Sequence, residues 1–301
     1  MNTVLFMSIY LTGTSGFVGK NLIEYFNYSK TIVKATRKSS IEIEEQAVIH
    51  LAGKAHDLKN VSSPDEYYKV NTELTQRIFD SFLVSKARVF ITLSSVKAVA
   101  DEIDGELSEE VIPSPITHYG KSKLLAEQYI LSQPIPDGKR VYILRPCMIH
   151  GPGNKGNLNL LYSLVSKGLP WPLGLFENSR SYLSIENLCF IIKELIERED
   201  IQSGVYNVAD DVPLSTNEVI KMIAESKGKK ACILKLSTNL IKVLAYVGDF
   251  LKLPLNSERL QKLTESYVVS NAKIKAAIGK QLPVSSKNGL ITTFQSFIHN
   301  V

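Results

Sequence analysis

The sequence predicts an α/β protein in which a doubly wound parallel sheet carries a second, smaller α/β domain. Two observations lead to this prediction. Up to about residue 145, short apolar runs typical of buried strands alternate with segments whose apolar residues have helical spacing. After Arg145-Pro146 the pattern changes to glycine-rich and proline-rich loops between helices and short strands. Alternation of this kind indicates parallel strands, because each connection must return the chain to the same end of the sheet.

The elements of the first half follow from this periodicity. Buried strands are predicted at 4–11, 31–35, 47–52, 88–94 and 140–145, and helices near 16–28, 65–85 and 117–132. The link IEIEEQ between the second and third strands is too short for a full helix. Leu240 to Leu255 is apolar but is interrupted by Lys242, Asp249 and Lys252. We therefore predict an amphipathic helix there and no membrane insertion, while contact with a membrane surface stays open.

A glycine turn follows the first predicted strand. Gly13, Gly16 and Gly19 lie in TGTSGFVG, between that strand and a segment of helical spacing. This order is that of Rossmann-type dinucleotide-binding folds, where the glycines allow a tight turn, close approach of the pyrophosphate and packing of helix on strand. An ordinary glycine turn is the alternative. The residues predicted to line the cofactor in this turn are Gly13, Thr14, Ser15, Gly16, Phe17, Val18 and Gly19.

The end of the second strand bears on the choice of cofactor. An NAD site usually has an acidic residue here for the ribose 2′-hydroxyl, whereas an arginine accommodates the 2′-phosphate of NADP. Residues 31–41 contain no Asp or Glu, and Arg37 lies among them. Arg37 therefore indicates NADP, with a solvated basic loop as the alternative. Both NAD and NADP stay open.

Tyr119, Lys123 and Ser95 form a candidate catalytic group. Tyr119 and Lys123 are four residues apart in HYGKSKLLAEQYI, which places them on one helix face. Ser95 ends the apolar run VFITLSS. A lysine cation about 4 Å from a phenol would favour the phenolate by roughly 4 kcal/mol, or about three pH units. Tyr119 would then be a useful acid–base group, although this spacing alone is common by chance.

Composition narrows the classes of function. The chain has 301 residues with 35 basic and 30 acidic side chains, a net charge of +5 and no concentrated basic tract. We therefore predict no nucleic-acid partner, and a mildly basic surface suits an anionic small ligand. Cys147, Cys189 and Cys232 have neither disulfide nor zinc-ligand spacing. The prediction is reduced core thiols, no metal site and a cytoplasmic location.

Motifs along nearly the whole chain resemble the extended short-chain dehydrogenase/reductases, and among them the NAD-dependent epimerase/dehydratase family of nucleotide-sugar enzymes. In order, the motifs are TGTSGFVG, VIHLAG, YYKVNTE, LSSVKAV, YGKSK, LRPCMIHGPG, RSYLSIENL and GVYNVAD. The segment GNKGNLNLLYSLVSKGLPWPLG followed by NSRSYLSIENL is most similar to the branch that serves bacterial surface-polysaccharide synthesis. That branch includes 4-epimerases of UDP-hexoses and UDP-N-acetylhexosamines, and reductases of UDP-4-keto-6-deoxy-N-acetylhexosamines.

The resemblance implies a role for each matching position. Tyr119 would be the acid–base group at the sugar C4 hydroxyl, and Ser95 would hydrogen-bond the same C4 oxygen. Lys123 would bind the nicotinamide ribose and lower the pKa of Tyr119. The other residues implied at the cofactor are Leu51, Ala52, Gly53 and Asn71. The residues implied at the UDP-sugar substrate are Ser95, Lys97, Met148, Asn157, Arg180 and Arg259, of which Asn157, Arg180 and Arg259 would hold the diphosphate.

The resemblance also implies a domain division and a partner. The NAD(P)-binding domain would span 1–146 plus about 182–210. The nucleotide-sugar-binding domain would span 147–181 and about 211–301. A homodimer is implied through the predicted helices near 65–85 and 117–132.

Two departures from the family pattern narrow the reaction. Val96 and Lys97 stand where dehydratases of the family have an Asp-Glu pair, which disfavours a dehydratase. Met148 stands where galactose epimerases have an asparagine, which puts a plain UDP-galactose substrate in doubt. We therefore predict an NAD(P)-dependent UDP-sugar 4-epimerase. The alternative is an NAD(P)H-dependent 4-ketoreductase of a UDP-4-keto-6-deoxy-N-acetylhexosamine, and a more remote one is an NADP-sensing regulatory protein.

Overall fold

A computed structural model describes residues 8–27, 30–34, 41–54, 63–154, 156–251 and 256–298. The strands are β1 (Ser8–Thr12), β2 (Thr31–Lys34), β3 (Ala47–His50), β4 (Val89–Leu93), β5 (Glu106–Leu107), β6 (Arg140–Pro146), β7 (Met148–His150), β8 (Tyr182–Ser184), β9 (Gly204–Val208) and β10 (Val268–Val269). The central sheet has six strands in the order β2-β1-β3-β4-β6-β9, and every neighbouring pair is parallel. The predicted doubly wound parallel sheet is confirmed.

The helices cover the two faces of this sheet and build the second half. They are α1 (Phe17–Tyr25), α2 (Pro64–Tyr67), α3 (Leu74–Val84), α4 (His118–Ser132), α5 (Asn157–Ser166), α6 (Ile185–Glu197), α7 (Thr216–Ser226), α8 (Thr238–Leu251), α9 (Ser257–Thr264), α10 (Ala272–Ile278) and α11 (Ser286–Ile298). A π-helical segment, Tyr68–Glu73, joins α2 to α3, so the predicted helix near 65–85 is continuous but not regular. The IEIEEQ link has no helix, as expected.

The inner strands are apolar on both sides because helices pack on both sides. The prediction of a buried strand at 31–35 is wrong in its burial, because β2 is an edge strand and three of its four residues are exposed. Leu11 and Ile49 are fully buried in one cluster with side chains of α1 and α6. Val48 and Phe90 are fully buried in a second cluster on the other face, with side chains of α3. This double burial explains why the strands read as continuous apolar runs. It also fixes the register, in which Thr12 of β1 lies beside His50 of β3.

A separate apolar cluster lies in the second half, where Trp171, Tyr182 and Phe294 pack with residues of α5, α7 and α8. Its existence agrees with a second structural unit, although the predicted domain boundaries stay a prediction. Within the described ranges, none of the helices is long and apolar enough to span a bilayer.

The prediction of core thiols is wrong for one cysteine. Cys189 is buried and Cys147 is partly buried, but Cys232 is exposed. The backbone carbonyl of Cys232 accepts a hydrogen bond from the Trp171 N–H at 2.8 Å. Backbone pairing thus holds residue 232 at the edge of the second cluster while its side chain points outward, a placement that cysteine spacing cannot reveal.

Candidate active site

The carboxyl ends of β1 and β3 are joined by a chain of hydrogen bonds through Thr12 and His50. The Thr12 Oγ1 accepts from the backbone N–H groups of Leu51 (3.1 Å) and Ala52 (3.0 Å) and lies 2.8 Å from His50 Nδ1. His50 Nε2 lies 3.0 Å from the Thr75 Oγ1, whose own proton goes to a backbone carbonyl. Nε2 therefore carries the proton and Nδ1 accepts. Burial lowers the pKa of His50 to about 3, so it is a neutral core histidine.

The glycine turn lies directly against this strand end. Gly13 has φ of +71°, and an added Cβ there would lie 2.6 Å from the Ala52 nitrogen. An added Cβ at Gly19 would lie 2.3 Å from the Gly13 oxygen, so only glycine permits this helix packing. Gly16 is the exposed N-cap of α1. The remaining predicted positions of this region, in the turn, at the start of α1 and after β3, are Thr14, Ser15, Phe17, Val18 and Leu51.

This turn fits a dinucleotide. Gly16 has no side chain to cap α1, so the first backbone N–H groups of the helix are available to an anion, with the positive end of the helix dipole behind them. The turn occupies the carboxyl edge of the sheet at β1, where open α/β sheets bind their ligands.

Tyr119 and Ser95 are brought together by α4 and the end of β4. Tyr119 lies in the first turn of α4, whose N-cap Thr117 accepts from the Gly120 N–H at 3.2 Å. The Tyr119 and Ser95 side chains are hydrogen bonded. Burial raises the pKa of the Tyr119 phenol above its ordinary 10.0, and the Ser95 hydrogen bond opposes this. The expected lowering of the Tyr119 pKa is wrong for this arrangement, because burial outweighs the nearby polar groups.

Lys123 lies one turn further along α4 and is also buried. Its ammonium donates to the Leu93 carbonyl at 2.8 Å, at the end of β4. Burial lowers the pKa of Lys123 to about 8, and the Glu127 carboxylate opposes the shift. An added Cβ at Gly53 would lie 3.1 Å from Lys123 Nζ and 3.2 Å from the Asn71 Oδ1. The ammonium and the amide of Asn71 therefore flank the backbone of Gly53.

Asn71 holds three segments together from inside the π-helical segment. Its Oδ1 accepts from the Lys54 N–H at 2.8 Å, and its Nδ2 donates to the Lys54 carbonyl at 3.1 Å. The same Nδ2 donates to Ser122 Oγ at 3.0 Å, next to Lys123 on α4. The loop after β3 is thereby fixed against the helix that carries Tyr119. The implied role of Asn71 beside the cofactor stays a prediction.

Two further residues position the site, and sequence reasoning missed both. An added Cβ at Gly120 would lie 2.3 Å from the Lys97 carbonyl, so glycine is needed for α4 to pack against the segment after Ser95. The Asp101 carboxylate accepts from the Ile116 and Thr117 N–H groups at 2.6 Å and 3.1 Å. A glycine in the first turn of a helix is a signal that could have identified Gly120. Nothing local marks Asp101.

The predicted substrate-side residues are only partly brought together. The Lys97 ammonium donates to the Asp101 carbonyl at 2.5 Å and lies 4.1 Å from the centre of the Tyr267 ring. Burial lowers the pKa of Lys97, and the Glu265 carboxylate opposes this most strongly. Arg180 pairs with the same Glu265 at 3.1 Å. Lys97 and Arg180 thus share one acidic neighbour between the Ser95 loop and the second half.

For the other residues predicted at the substrate, the structure gives the position in the fold. Met148 is partly buried in β7, and Arg259 is exposed on α9. Asn157 begins α5, but its side chain lies outside the described residues, as does all of Arg37. The roles implied for these residues stay predictions.

A buried ion pair supports the helix that carries Tyr119 and Lys123. The Arg145 guanidinium donates to both Glu127 oxygens, with Nε at 3.0 Å and 3.1 Å and Nη2 at 2.6 Å.

We expect Glu127→Gln to lower the free energy of unfolding by about 3–5 kcal/mol, because it leaves a buried guanidinium without its charge partner. Urea denaturation measures this. Glu258→Gln, in the exposed pair with Lys262, is the control, with an expected loss of about 0.5 kcal/mol or less. Equal losses in the two variants would contradict the expectation.

Comparison of the sequence with known protein families identifies the family of this chain. A sequence model of the NAD dependent epimerase/dehydratase family matches residues 9–209. The chain belongs to this family. The prediction of the family, and with it of an NAD(P)-dependent enzyme, is confirmed.

Relatives of this family member include enzymes with different nucleotide-sugar or lipid-linked substrates. It is 29% identical to the UDP-glucose 4-epimerase of Vibrio cholerae over 97% of the chain and 95% of that protein. It is 27% identical to the N-acetyl-alpha-D-glucosaminyl-diphospho-ditrans,octacis-undecaprenol 4-epimerase of Escherichia coli O157:H7, over 97% of the chain and 96% of that protein. It is also 27% identical to the GDP-6-deoxy-D-mannose reductase of Pseudomonas aeruginosa, over 72% of the chain and 79% of that protein.

Solved structures confirm the fold of this family member. MoeE5 in complex with UDP-glucuronic acid and NAD has a TM-score of 0.75 at 19% identity, covering 98% of the chain and 100% of that structure. RMD from Pseudomonas aeruginosa complexed with NADPH has a TM-score of 0.75 at 21% identity, covering 98% and 99%. The predicted cofactor class is confirmed, and the choice between NAD and NADP is not made by these neighbours, since both occur.

Proposed function

We propose that the chain is an NAD(P)-dependent 4-epimerase of a UDP-hexose or a UDP-N-acetylhexosamine. The observation that carries the proposal is the hydrogen-bonded pair of Tyr119 and Ser95, with the buried Lys123 one turn further along the helix that carries Tyr119. A continuous set of contacts joins this group to the glycine turn, because Gly13 packs on Ala52 while Gly53 packs on Lys123. An acid–base group, a cation and a dinucleotide cradle therefore lie at one edge of the sheet. The UDP-glucose 4-epimerase relative supports the same reaction.

The reaction requires a proton and a hydride to leave the same C4 carbinol and return. A bound nicotinamide dinucleotide supplies reversible hydride acceptance, and the glycine turn, Asn71 and Lys123 would hold it. The Tyr119 phenolate takes the proton of the C4 hydroxyl and later gives it back to the epimeric oxygen. Ser95 hydrogen-bonds the same oxygen and limits the charge that develops there. Lys123, as an ammonium, offsets the cost of forming a buried phenolate.

The protonation states of Lys123 and Tyr119 determine how kcat/KM should depend on pH. The reactive form is phenolate with ammonium. Below pH about 8 the main form, phenol with ammonium, has one proton more, so kcat/KM should rise about tenfold per pH unit. Above pH about 8 the main form is phenol with neutral amine, because the pKa of Tyr119 is raised above 10.0. That form has the same number of protons as the reactive one, so kcat/KM should level off.

A pH–rate profile of kcat/KM tests this expectation, and Lys123→Arg is the informative variant. A guanidinium stays protonated throughout this range, so the variant's residual kcat/KM should keep rising past pH about 8. A wild-type profile that is flat below pH about 8, or that falls directly above it, would show that these two groups do not share the proton in this way.

A 4-ketoreductase is the second candidate for the same residues, and the GDP-6-deoxy-D-mannose reductase relative favours it. To separate the two, the protein is incubated with UDP-GlcNAc, UDP-glucose or a UDP-4-keto-6-deoxyhexosamine, with and without NADPH. Interconversion of epimers without net consumption of cofactor supports the epimerase. Stoichiometric loss of NADPH with the keto sugar alone supports the reductase. Binding of NADP without turnover of any of these substrates would favour the NADP-sensing regulatory protein.

A lipid-linked sugar is a further candidate substrate. The Escherichia coli relative is named as a 4-epimerase of a sugar diphosphate linked to undecaprenol. Exposed apolar side chains on α8, such as Leu244 and Phe250, favour this candidate, because a polyprenyl-linked sugar is held at a membrane surface. A cytoplasmic location stays a prediction.

The proposed homodimer would form through α3 and α4. Exposed apolar side chains on these helices, Val84, Leu125 and Leu131, support the proposal. Light scattering of the purified protein would show whether a dimer forms.

A further inference from the structure

Helix α8 exposes an unusually wide apolar surface. Ile241, Ala245 and Gly248 are its buried residues, and Ile241 and Ala245 attach it to the second cluster. The exposed apolar side chains, each between 41% and 89% exposed and together called the α8 apolar face, are Leu240, Val243, Leu244, Tyr246, Val247, Phe250 and Leu251. A surface helix normally presents polar residues opposite its buried stripe, so this face calls for a partner.

The arrangement around the helix axis makes the face continuous. At about 100° per residue, the exposed apolar positions span an arc of about 160°, with the buried stripe between Leu244 and the polar side. The charged residues of the helix, Lys242 and Asp249, lie together on the other side, and Asn239 in its first turn is the polar residue within the arc. The Asp249 carboxylate is engaged in capping, since it accepts from the Ser257 N–H at 2.9 Å. The apolar face is therefore not interrupted by charge.

The charged residues of the segment that leads into this face are all positive. Residues 226–248 contain no Asp or Glu and have lysines at 227, 229, 230, 235 and 242. Lys229, Lys230, Lys235 and Lys242 are exposed. Elsewhere the chain mixes both signs, with 30 acidic residues in total. A basic segment that leads into an apolar helix face is the combination that binds an anionic lipid surface.

We propose that α8 is a membrane-docking helix, with its apolar face in the headgroup region of an anionic bilayer and the lysines of 229–242 on the lipid phosphates. The helix would lie in the plane of the interface and would not span the bilayer. A second copy of the chain fits less well. A parallel two-fold interface through the same face would bring the two lysine-rich segments close together, where like charges repel, and an antiparallel one would leave those segments without an anionic surface to bind. This proposal does not rest on the UDP-sugar substrate proposed above, and the lipid-linked candidate would be consistent with it.

Co-sedimentation with vesicles tests the proposal on the full chain. The wild type should sediment with vesicles of phosphatidylglycerol and phosphatidylcholine, and far less with phosphatidylcholine alone. Added salt should weaken the binding. Leu244→Gln/Phe250→Gln should abolish sedimentation, whereas Ile112→Gln/Val212→Gln, which changes two exposed apolar residues outside α8, should bind as the wild type does. Lys235→Gln/Lys242→Gln should weaken binding by about fivefold per lysine, and Lys86→Gln/Lys287→Gln should not.

Failure of the membrane-docking proposal can be distinguished from failure of the proposed 4-epimerase reaction. Turnover of a soluble UDP-sugar without vesicles should be unchanged in Leu244→Gln/Phe250→Gln, and the vesicle result stands even if no UDP-sugar is turned over. Failure of the wild type to bind phosphatidylglycerol vesicles would overturn the proposal. So would equal binding by the α8 and control variants. An oligomer that is lost in Leu244→Gln/Phe250→Gln, without vesicle binding by the wild type, would show that a second copy covers the face.

Discussion

Tyr119→Phe is expected to lower kcat by about 10²- to 10⁴-fold, because it removes the group proposed to take and return the C4 hydroxyl proton. The change deletes one oxygen and keeps the ring, whose edge packs against Tyr67 with 6.2 Å between ring centres. Folding and cofactor binding should therefore persist, so that the loss falls on kcat. Steady-state kinetics, with cofactor binding followed separately by fluorescence, measures this.

A second tyrosine on the same helix provides a matched control. The Tyr129 hydroxyl donates to the Asp80 carboxylate at 2.6 Å on the exposed side of α4. Tyr129→Phe removes the same atom from the same helix and should leave kcat unchanged. Ser95→Ala should cost about 10²- to 10³-fold, as for other single donors to a reacting oxygen. Full turnover in Tyr119→Phe would remove the proposed acid–base role.

Gly16→Ala and Gly19→Ala are expected to fail in different ways. At Gly19 the new methyl would lie 2.3 Å from the Gly13 oxygen, so the helix must move, and both stability and cofactor binding should suffer. At Gly16 the backbone has an ordinary φ of −73°, and the methyl would lie 3.3 Å from the Gly13 oxygen. Gly16→Ala should therefore fold but hold the dinucleotide about 10- to 100-fold more weakly, because the added methyl would occupy the place proposed for the approaching pyrophosphate.

Thermal denaturation and isothermal titration with NAD and NADP separate these effects. Glu24→Ala, on an exposed position near the far end of α1, is the control and should bind both cofactors as the wild type does. The same titrations decide between NAD and NADP, which Arg37 alone does not. Unchanged affinity in Gly16→Ala for both cofactors would contradict the assignment of the glycine turn to the pyrophosphate.

The parts of the site that the sequence predicted are those set by local pattern. The glycine spacing of TGTSGFVG requires a turn between strand and helix, and the structure has that turn with Gly13 at positive φ. Tyr119 and Lys123 lie on α4 because an i, i+4 spacing fixes a shared helix face. The buried strands were predicted because runs such as VFITL are apolar on both sides of the sheet.

The parts that the sequence did not predict depend on contacts between distant segments. Asp101 caps the start of α4 from 15 residues away, and Asn71 reaches Ser122 over a separation of 51 residues. The lowering of the Tyr119 pKa that Lys123 alone predicts is wrong, because burial of the phenol raises this pKa. Arg180 was predicted from its motif alone, and its ion pair with Glu265 could not be read from a residue 85 positions away. Long-range packing, which no local pattern records, decided each of these.

Deuterium at C4 of the substrate tests whether the hydride returns. The purified wild type is incubated with C4-deuterated UDP-GlcNAc, or with C4-deuterated UDP-glucose, and the product is followed by nuclear magnetic resonance. We expect the C4 epimer to form with the deuterium retained at C4 and with no net change in the absorbance of reduced nicotinamide. No epimer from either sugar, together with stoichiometric oxidation of NADPH by a 4-keto sugar, would contradict the proposed epimerase and leave a one-way reductase on the same residues.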